Sequence, residues 1–205
     1  MKTVDFAAAI AIEEDGWASA RSQARHPITR ISSPNHDERP EGCAPSLIVI
    51  HNISLPPGAF GGDAIEALFT NTLAHDAHPY FASLVGLRVS SHFLIRRDGA
   101  LVQFVACGLR AWHAGDSSFE GREGCNDFSI GIELEGDDTS AYEAGQYATL
   151  IALTDGLSAR YPIAAVAGHS DIAPGRKTDP GPLFDWAFYL AGTRSRLHAP
   201  SSSSP

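Results

Sequence analysis

The run Ser46-Leu47-Ile48-Val49-Ile50-His51-Asn52 limits the fold more than any other stretch. It is rich in β-branched residues and apolar at odd and even positions alike, so both of its faces need cover. That pattern is expected of a central strand with a layer on each side. A second strand, Phe128 to Glu135, alternates with period two. Phe128, Ile130, Ile132 and Leu134 share one face; Ser129, Gly131, Glu133 and Glu135 share the other. His92 to Arg97 and Leu101 to Val105 flank Asp98-Gly99, a turn-forming pair, and read as a hairpin. Ala164 to Gly168 reads as a short buried strand. Tyr147, Leu150, Ile151, Thr154, Leu157 and Tyr161 recur at helical spacing behind a Ser140–Glu143 capping-box pattern, and Pro162 ends the run. Shorter helices are predicted after Asp63, with Ile65, Leu68 and Phe69 inward, and from Asp185 to Arg196.

At 205 residues the chain suits one domain with a substantial core. We expect an extension over residues 1–13, a domain over 14–196 and a disordered tail over 197–205. Residues 16–45, rich in Pro, Ser, Arg and Asp, read as an irregular covering segment. A net charge of −9 argues against a nucleic-acid partner and repels anionic lipid. The apolar run Phe6 to Ile12 is too short for a secretory signal and runs straight into Glu13-Glu14-Asp15. Three scattered cysteines without a C-x-x-C pair exclude a disulfide framework and fit a reducing compartment, so a cytoplasmic protein with no membrane partner is expected. A monomer is expected as well.

The chemistry concentrates in Ala167 to Pro182, which holds His169, Asp171, Arg176, Lys177 and Asp179 among three prolines. Proline and glycine stiffen and turn such a run, so it reads as a rigid loop instead of a helix or strand. Ligands gather at strand ends in α/β sheets, and His51 ends the first strong strand. Two histidines and a carboxylate, with water in the fourth position, make a catalytic zinc set. His51, His169 and Asp179 supply one, with Lys177 beside them as a cationic stabiliser. A structural zinc would call for four protein ligands, often thiolates. Either Glu133 or Glu135 would carry the proton, and spacing does not choose between them. Gly131 leaves room on their face for a close approach. His113, in the loop Trp112-His113-Ala114-Gly115, reads as a supporting or solvent histidine.

These residues resemble those of the zinc-dependent N-acetylmuramoyl-L-alanine amidases. The likeness runs through Ser33-Pro34-Asn35, Val49 to Gly58, Phe60-Gly61-Gly62, His92 to Gly99, Ala111 to Gly115, Cys125 to Gly136 and Gly168 to Pro182. It spans roughly residues 14–196. The resemblance implies a central mixed β-sheet flanked by α-helices and one zinc held by His51, His169 and Asp179. It selects Glu133 as the catalytic carboxylate, gives Lys177 the second catalytic role, and suggests Asn52, Arg88 and Trp112 as substrate contacts. It further implies hydrolysis of the bond between anhydro-muramic acid and L-alanine in anhydro-muropeptides, during peptidoglycan recycling. Two departures stand out: the N-terminal extension is long, and Gly124 occupies a place where a basic residue is expected. Peptidoglycan-recognition proteins share the fold, and some bind without cleaving; a lost zinc ligand would mark that class. An exported hydrolase of intact murein would call for an export signal, wall-binding repeats or a basic surface.

Overall fold

The computed structural model describes residues 10–20 and 28–199. A hairpin of β1 (Ile10–Ile12) and β2 (Ala18–Ala20) comes first, then β3 (Ile28–Arg30) and β4 (His36–Asp37). The main strand β5 (Leu47–Ile53) and the helix α1 (Ala64–Phe69) follow, then β6 (Phe93–Ile95), β7 (Leu101–Gln103) and β8 (Arg110–Ala111). A small hairpin, β9 (Ser118–Phe119) and β10 (Arg122–Glu123), precedes β11 (Ser129–Glu135). The chain closes with α2 (Ala144–Arg160), β12 (Ala165–Gly168), α3 (His169–Ile172) and α4 (Trp186–Gly192).

Six strands form one mixed sheet in the order β12-β5-β11-β6-β7-β3. The strands β12, β5, β11 and β6 run parallel, and β6 turns back antiparallel into β7. Alternation then assigns the two faces. Ile48, Ile50, Ile130, Ile132 and Leu134 point one way and pack with Leu150, Leu153 and Leu157 of α2 and Tyr189 of α4. Leu47, Val49, Ala165 and Ala167 point the other way into one cluster, and Leu94, Val102 and Phe104 into another beside α1. Between these two clusters, on the same face, lie His51, Ser129, Gly131, Glu133 and Glu135. The period-two pattern therefore holds, and the face that carries both glutamates is buried along its whole length.

Several boundaries differ from expectation, each for a local reason. Ile10–Ile12, at the end of the expected extension, pairs with β2 and lies against α2, with Ile12 in the core. The segment expected to be irregular contributes β3 as an edge strand, parallel to β7. The expected lack of regular structure over residues 16–45 is thus corrected at β2, β3 and β4. Ser140 does not cap α2, because its N–H, like that of Thr139, is taken by the Asp137 carboxylate. The cap is Glu143, whose N–H donates to Gln146 Oε1 at 3.0 Å. The last helix stops at Gly192 and not at Arg196, and His198 bridges to Ala165 within the expected tail. Residues 200–205 of that tail and residues 1–9 lie outside the described residues. Among the described residues no helix is long and apolar enough to cross a membrane.

α2 and α4 are joined by a buried polar contact, Thr154 Oγ1 to Tyr189 Oη at 2.8 Å, with both residues fully buried. Tyr189→Phe strips Thr154 of that partner. It should lower unfolding free energy by about 1–3 kcal/mol, read from chemical denaturation at constant slope.

Candidate active site

Three parallel strands bring the site together. Ala167 pairs with Val49 and Gly168 with Ile50, so His169 leaves β12 one step further on, level with His51. Across β5, His51 pairs with Glu133 of β11. His169, His51 and Glu133 thus form a row at the carboxyl ends of adjacent strands, where open α/β sheets place their ligands. The stretch after β12 was expected to be loop throughout. Instead His169–Ile172 makes one helical turn, with Asp171 Oδ2 accepting from Gly168 N–H at 2.7 Å. The chain then returns through its prolines, and Ser170 N–H donates to the Asp179 carbonyl at 2.9 Å. Gly168 makes the return possible: a Cβ there would lie 2.8 Å from Pro180 Cδ.

Asp179 Oδ2 lies 3.1 Å from His51 Nδ1 and 3.1 Å from His169 Nδ1, and the two nitrogens are 3.0 Å apart. The far nitrogens are engaged elsewhere: His169 Nε2 with the Ala114 carbonyl at 3.1 Å, and His51 Nε2 with His113 Nδ1 at 2.9 Å. With the ring protons on those Nε2 atoms, two lone pairs and a carboxylate oxygen face one point with no proton among them. A cation suits that point. A tetrahedral zinc with bonds of about 2.0–2.1 Å spaces its ligands by about 3.3 Å, close to the triangle seen. These three residues are the group among the described residues able to hold a metal ion. Burial lowers the pKa of His51, favouring the neutral ring that ligation requires.

Glu133 sits beside this triangle with only 8% of its surface exposed, and its Oε2 is buried without a hydrogen-bond partner. Burial first, and the Asp179 charge second, push its carboxyl well above the usual range, while Lys177 opposes them. Glu135, two residues on, is engaged on both oxygens. Oε1 accepts from Gly61 N–H at 2.6 Å and Arg96 Nη1 at 2.9 Å, and Oε2 from Arg97 N–H at 3.1 Å. The two glutamates share a face but not an environment.

Lys177 is exposed and borders a cleft of about 570 Å3 with Asn52, Asp138, Thr178 and Asp179. Asn52 Nδ2 donates to Asp138 Oδ1 at 2.9 Å, so the asparagine is oriented before any ligand arrives. Arg88 and Trp112 do not border this cleft. Arg88 is exposed and, among the described residues, its side chain reaches only the carbonyl next to it, Leu87 O at 3.5 Å. The half-buried Trp112 lies near Asp37 and, after Arg110, helps hold that carboxyl below its usual range. Gly124 adopts φ +70°, a left-handed conformation that a basic side chain would strain, so its lack of a side chain matches its backbone. Sequence reasoning gave no part to Asn126, Ser129 or Arg176. Asn126 Oδ1 accepts from the backbone N–H groups of His113 (3.1 Å) and Ala114 (2.8 Å), and Arg176 Nη2 donates to the Ala114 carbonyl at 2.9 Å.

Fold and site together define a class: an α/β protein with a centre at its strand ends shaped to take a metal ion. Residues 41–182 match the model of the N-acetylmuramoyl-L-alanine amidase family, and the chain belongs to that family. Among its relatives, the 1,6-anhydro-N-acetylmuramyl-L-alanine amidase AmpD of Escherichia coli K12 is 61% identical over 177 residues, covering 85% of this chain and 92% of the relative. The AmpD of Citrobacter freundii is 58% identical over 180 residues, covering 87% of this chain and 92% of the relative. A crystal structure of a selenomethionine AmpD derivative superposes with a TM-score of 0.81 at 58% identity, covering 88% of this chain and 98% of the other.

Proposed function

We propose that this chain hydrolyses the amide between anhydro-N-acetylmuramic acid and L-alanine in soluble anhydro-muropeptides, and so recycles peptidoglycan. One observation carries the reading. Two histidine nitrogens and a carboxylate oxygen converge within 3.1 Å of one another beside a buried, half-unpartnered glutamate. The AmpD relatives supply the substrate class through their names.

His51, His169 and Asp179 would hold one zinc ion per chain. When bound, zinc supplies Lewis-acid polarisation of the amide and a water made nucleophilic near neutral pH. Glu133 is placed to take the proton of the attacking water and hand it to the leaving amine. Its raised pKa suits both halves of that transfer, since a carboxylate nearer neutrality accepts and releases protons with less mismatch. The Lys177 ammonium, felt electrostatically at both His51 and Glu133, would stabilise the negative charge that develops on the carbonyl oxygen. Asn52, already oriented by Asp138, offers a polar contact at the cleft wall. Arg88 and Trp112 would meet the substrate only outside the cleft proper. Cys43, Cys107 and Cys125 are unpaired, which is compatible with a reducing cytoplasm, and we assign the reaction to that compartment.

Mass spectrometry of an anhydro-muropeptide, before and after incubation with the protein, tests this. The parent mass should give way to free peptide and anhydro-muramyl sugar. A chelator should stop the conversion, and added zinc should restore it. Full activity in metal-free protein would refute the metal assignment. Faster cleavage of intact sacculi than of the soluble fragment would refute the substrate.

A further inference from the structure

A neutral imidazole has one lone pair, so a histidine ligand works only if its proton sits on the other nitrogen. For His169 the matter is simple. Its Nε2 lies 3.1 Å from the Ala114 carbonyl, which only accepts, so the proton is on Nε2 and Nδ1 is free. For His51 the partner of Nε2 is another imidazole nitrogen, His113 Nδ1 at 2.9 Å, and either could donate. Ser129 resolves the ambiguity. Its hydroxyl lies 2.6 Å from the Cys125 carbonyl and must donate there. Ser129 Oγ is then an acceptor for His113 Nε2 at 3.1 Å. The proton of His113 is therefore on Nε2, its Nδ1 accepts from His51 Nε2–H, and His51 Nδ1 is left as a lone pair toward the metal point.

The fold makes room for this ring. A Cβ on Gly131 would fall 2.5 Å from His113 Cγ, so β11 omits a side chain where the imidazole seats. It also anchors the residues that orient the ligands. His113 acts through its ring and Ala114 through its carbonyl, and both of their backbone N–H groups end on Asn126 Oδ1. One dipeptide, held by one amide oxygen, thus sets both histidines.

We infer that His113 is a positioning residue for the metal site: with Ser129 behind it, and Asn126 anchoring it together with Ala114, it fixes which nitrogen of His51 meets the metal. This rests on reading His51, His169 and Asp179 as zinc ligands. The test is zinc affinity, measured on the full chain by competition with a chelator of known affinity, with folding checked by circular dichroism. His113→Leu removes the acceptor and should weaken zinc binding by about 10–100-fold, the usual cost of losing a partner that orients a metal ligand. His113→Asn can place an amide oxygen near the former Nδ1 and should stay within a few-fold of wild type. Asn126→Ala should weaken binding, and Asn126→Asp, which keeps the acceptor, should restore it. Nitrogen-15 NMR of the zinc-loaded wild type should show His113 and His51 both protonated at Nε2. That spectrum needs no variant, so it decides even where His113→Leu fails to fold. A wild type that binds no zinc overturns the ligand assignment and this inference together. Stoichiometric zinc in the wild type with His113 protonated at Nδ1, or with equal affinity in wild type and His113→Leu, or with equal losses in the Leu and Asn variants, overturns the inference alone.

Discussion

Glu133→Gln should reduce amide hydrolysis by about 10²–10⁴-fold, the range for loss of a general base, while zinc content stays at the wild-type level. The side chain keeps its size and one acceptor oxygen, so the row His169, His51 and Glu133 is not disturbed. What disappears is the ability to take a proton. Glu133 has the environment for that task, because burial and the neighbouring Asp179 raise its proton affinity and its Oε2 has no other partner. Turnover and bound zinc should be measured on the same preparation. If the variant loses zinc along with activity, Glu133 supports the metal shell and another group carries the proton. If it retains full turnover, the base lies elsewhere.

Glu135→Gln should do the reverse. Its carboxylate is 2% exposed and ties Arg96 and the Gly61 and Arg97 amides to the end of β11, while Arg96 also binds Glu66. Glutamine replaces one acceptor oxygen by a donor, which must face either Arg96 and Gly61 or the Arg97 N–H. With Arg96 left to Glu66 alone, the mismatch costs about 1–3 kcal/mol, which a denaturant midpoint would register as a clear shift. Well below that transition, turnover should remain within a few-fold of wild type. A dead but fully stable Glu135→Gln, beside an active Glu133→Gln, would reverse the two assignments.

The difference between these glutamates marks where sequence reading stops. Period two placed both on one face, and that was correct. It could not tell that one carboxylate would meet a guanidinium and two backbone amides while Oε2 of the other met no hydrogen-bond partner, because those partners come from residues 61, 96 and 97 through tertiary packing. That His51, His169 and Asp179 would converge was legible for a different reason: the first lies near the end of an apolar strand, the second follows one directly, and the third lies on a stretch too rich in proline to wander. The six-stranded order, with its edge strand from residues 28–30, was not legible, since three residues carry too little periodicity to register. Nor was the helical turn at His169, which Asp171 caps from within a run that looked like loop. Gly131 was rightly read as leaving space, and the occupant proved to be the His113 ring.

The pairing at the far edge of the sheet has its own consequence. Val166 N–H donates to the His198 carbonyl at 2.8 Å, and His198 N–H to the Ala164 carbonyl at 2.9 Å. β12 is an outer strand, and an outer strand with open amides is a template for a strand of another molecule. The few residues after the last helix occupy that template, so they act as a selvedge that keeps the sheet from fraying into its neighbours. How far the chain can be shortened from its end is therefore set by this seam at residue 198, and not by the close of the helix at Gly192.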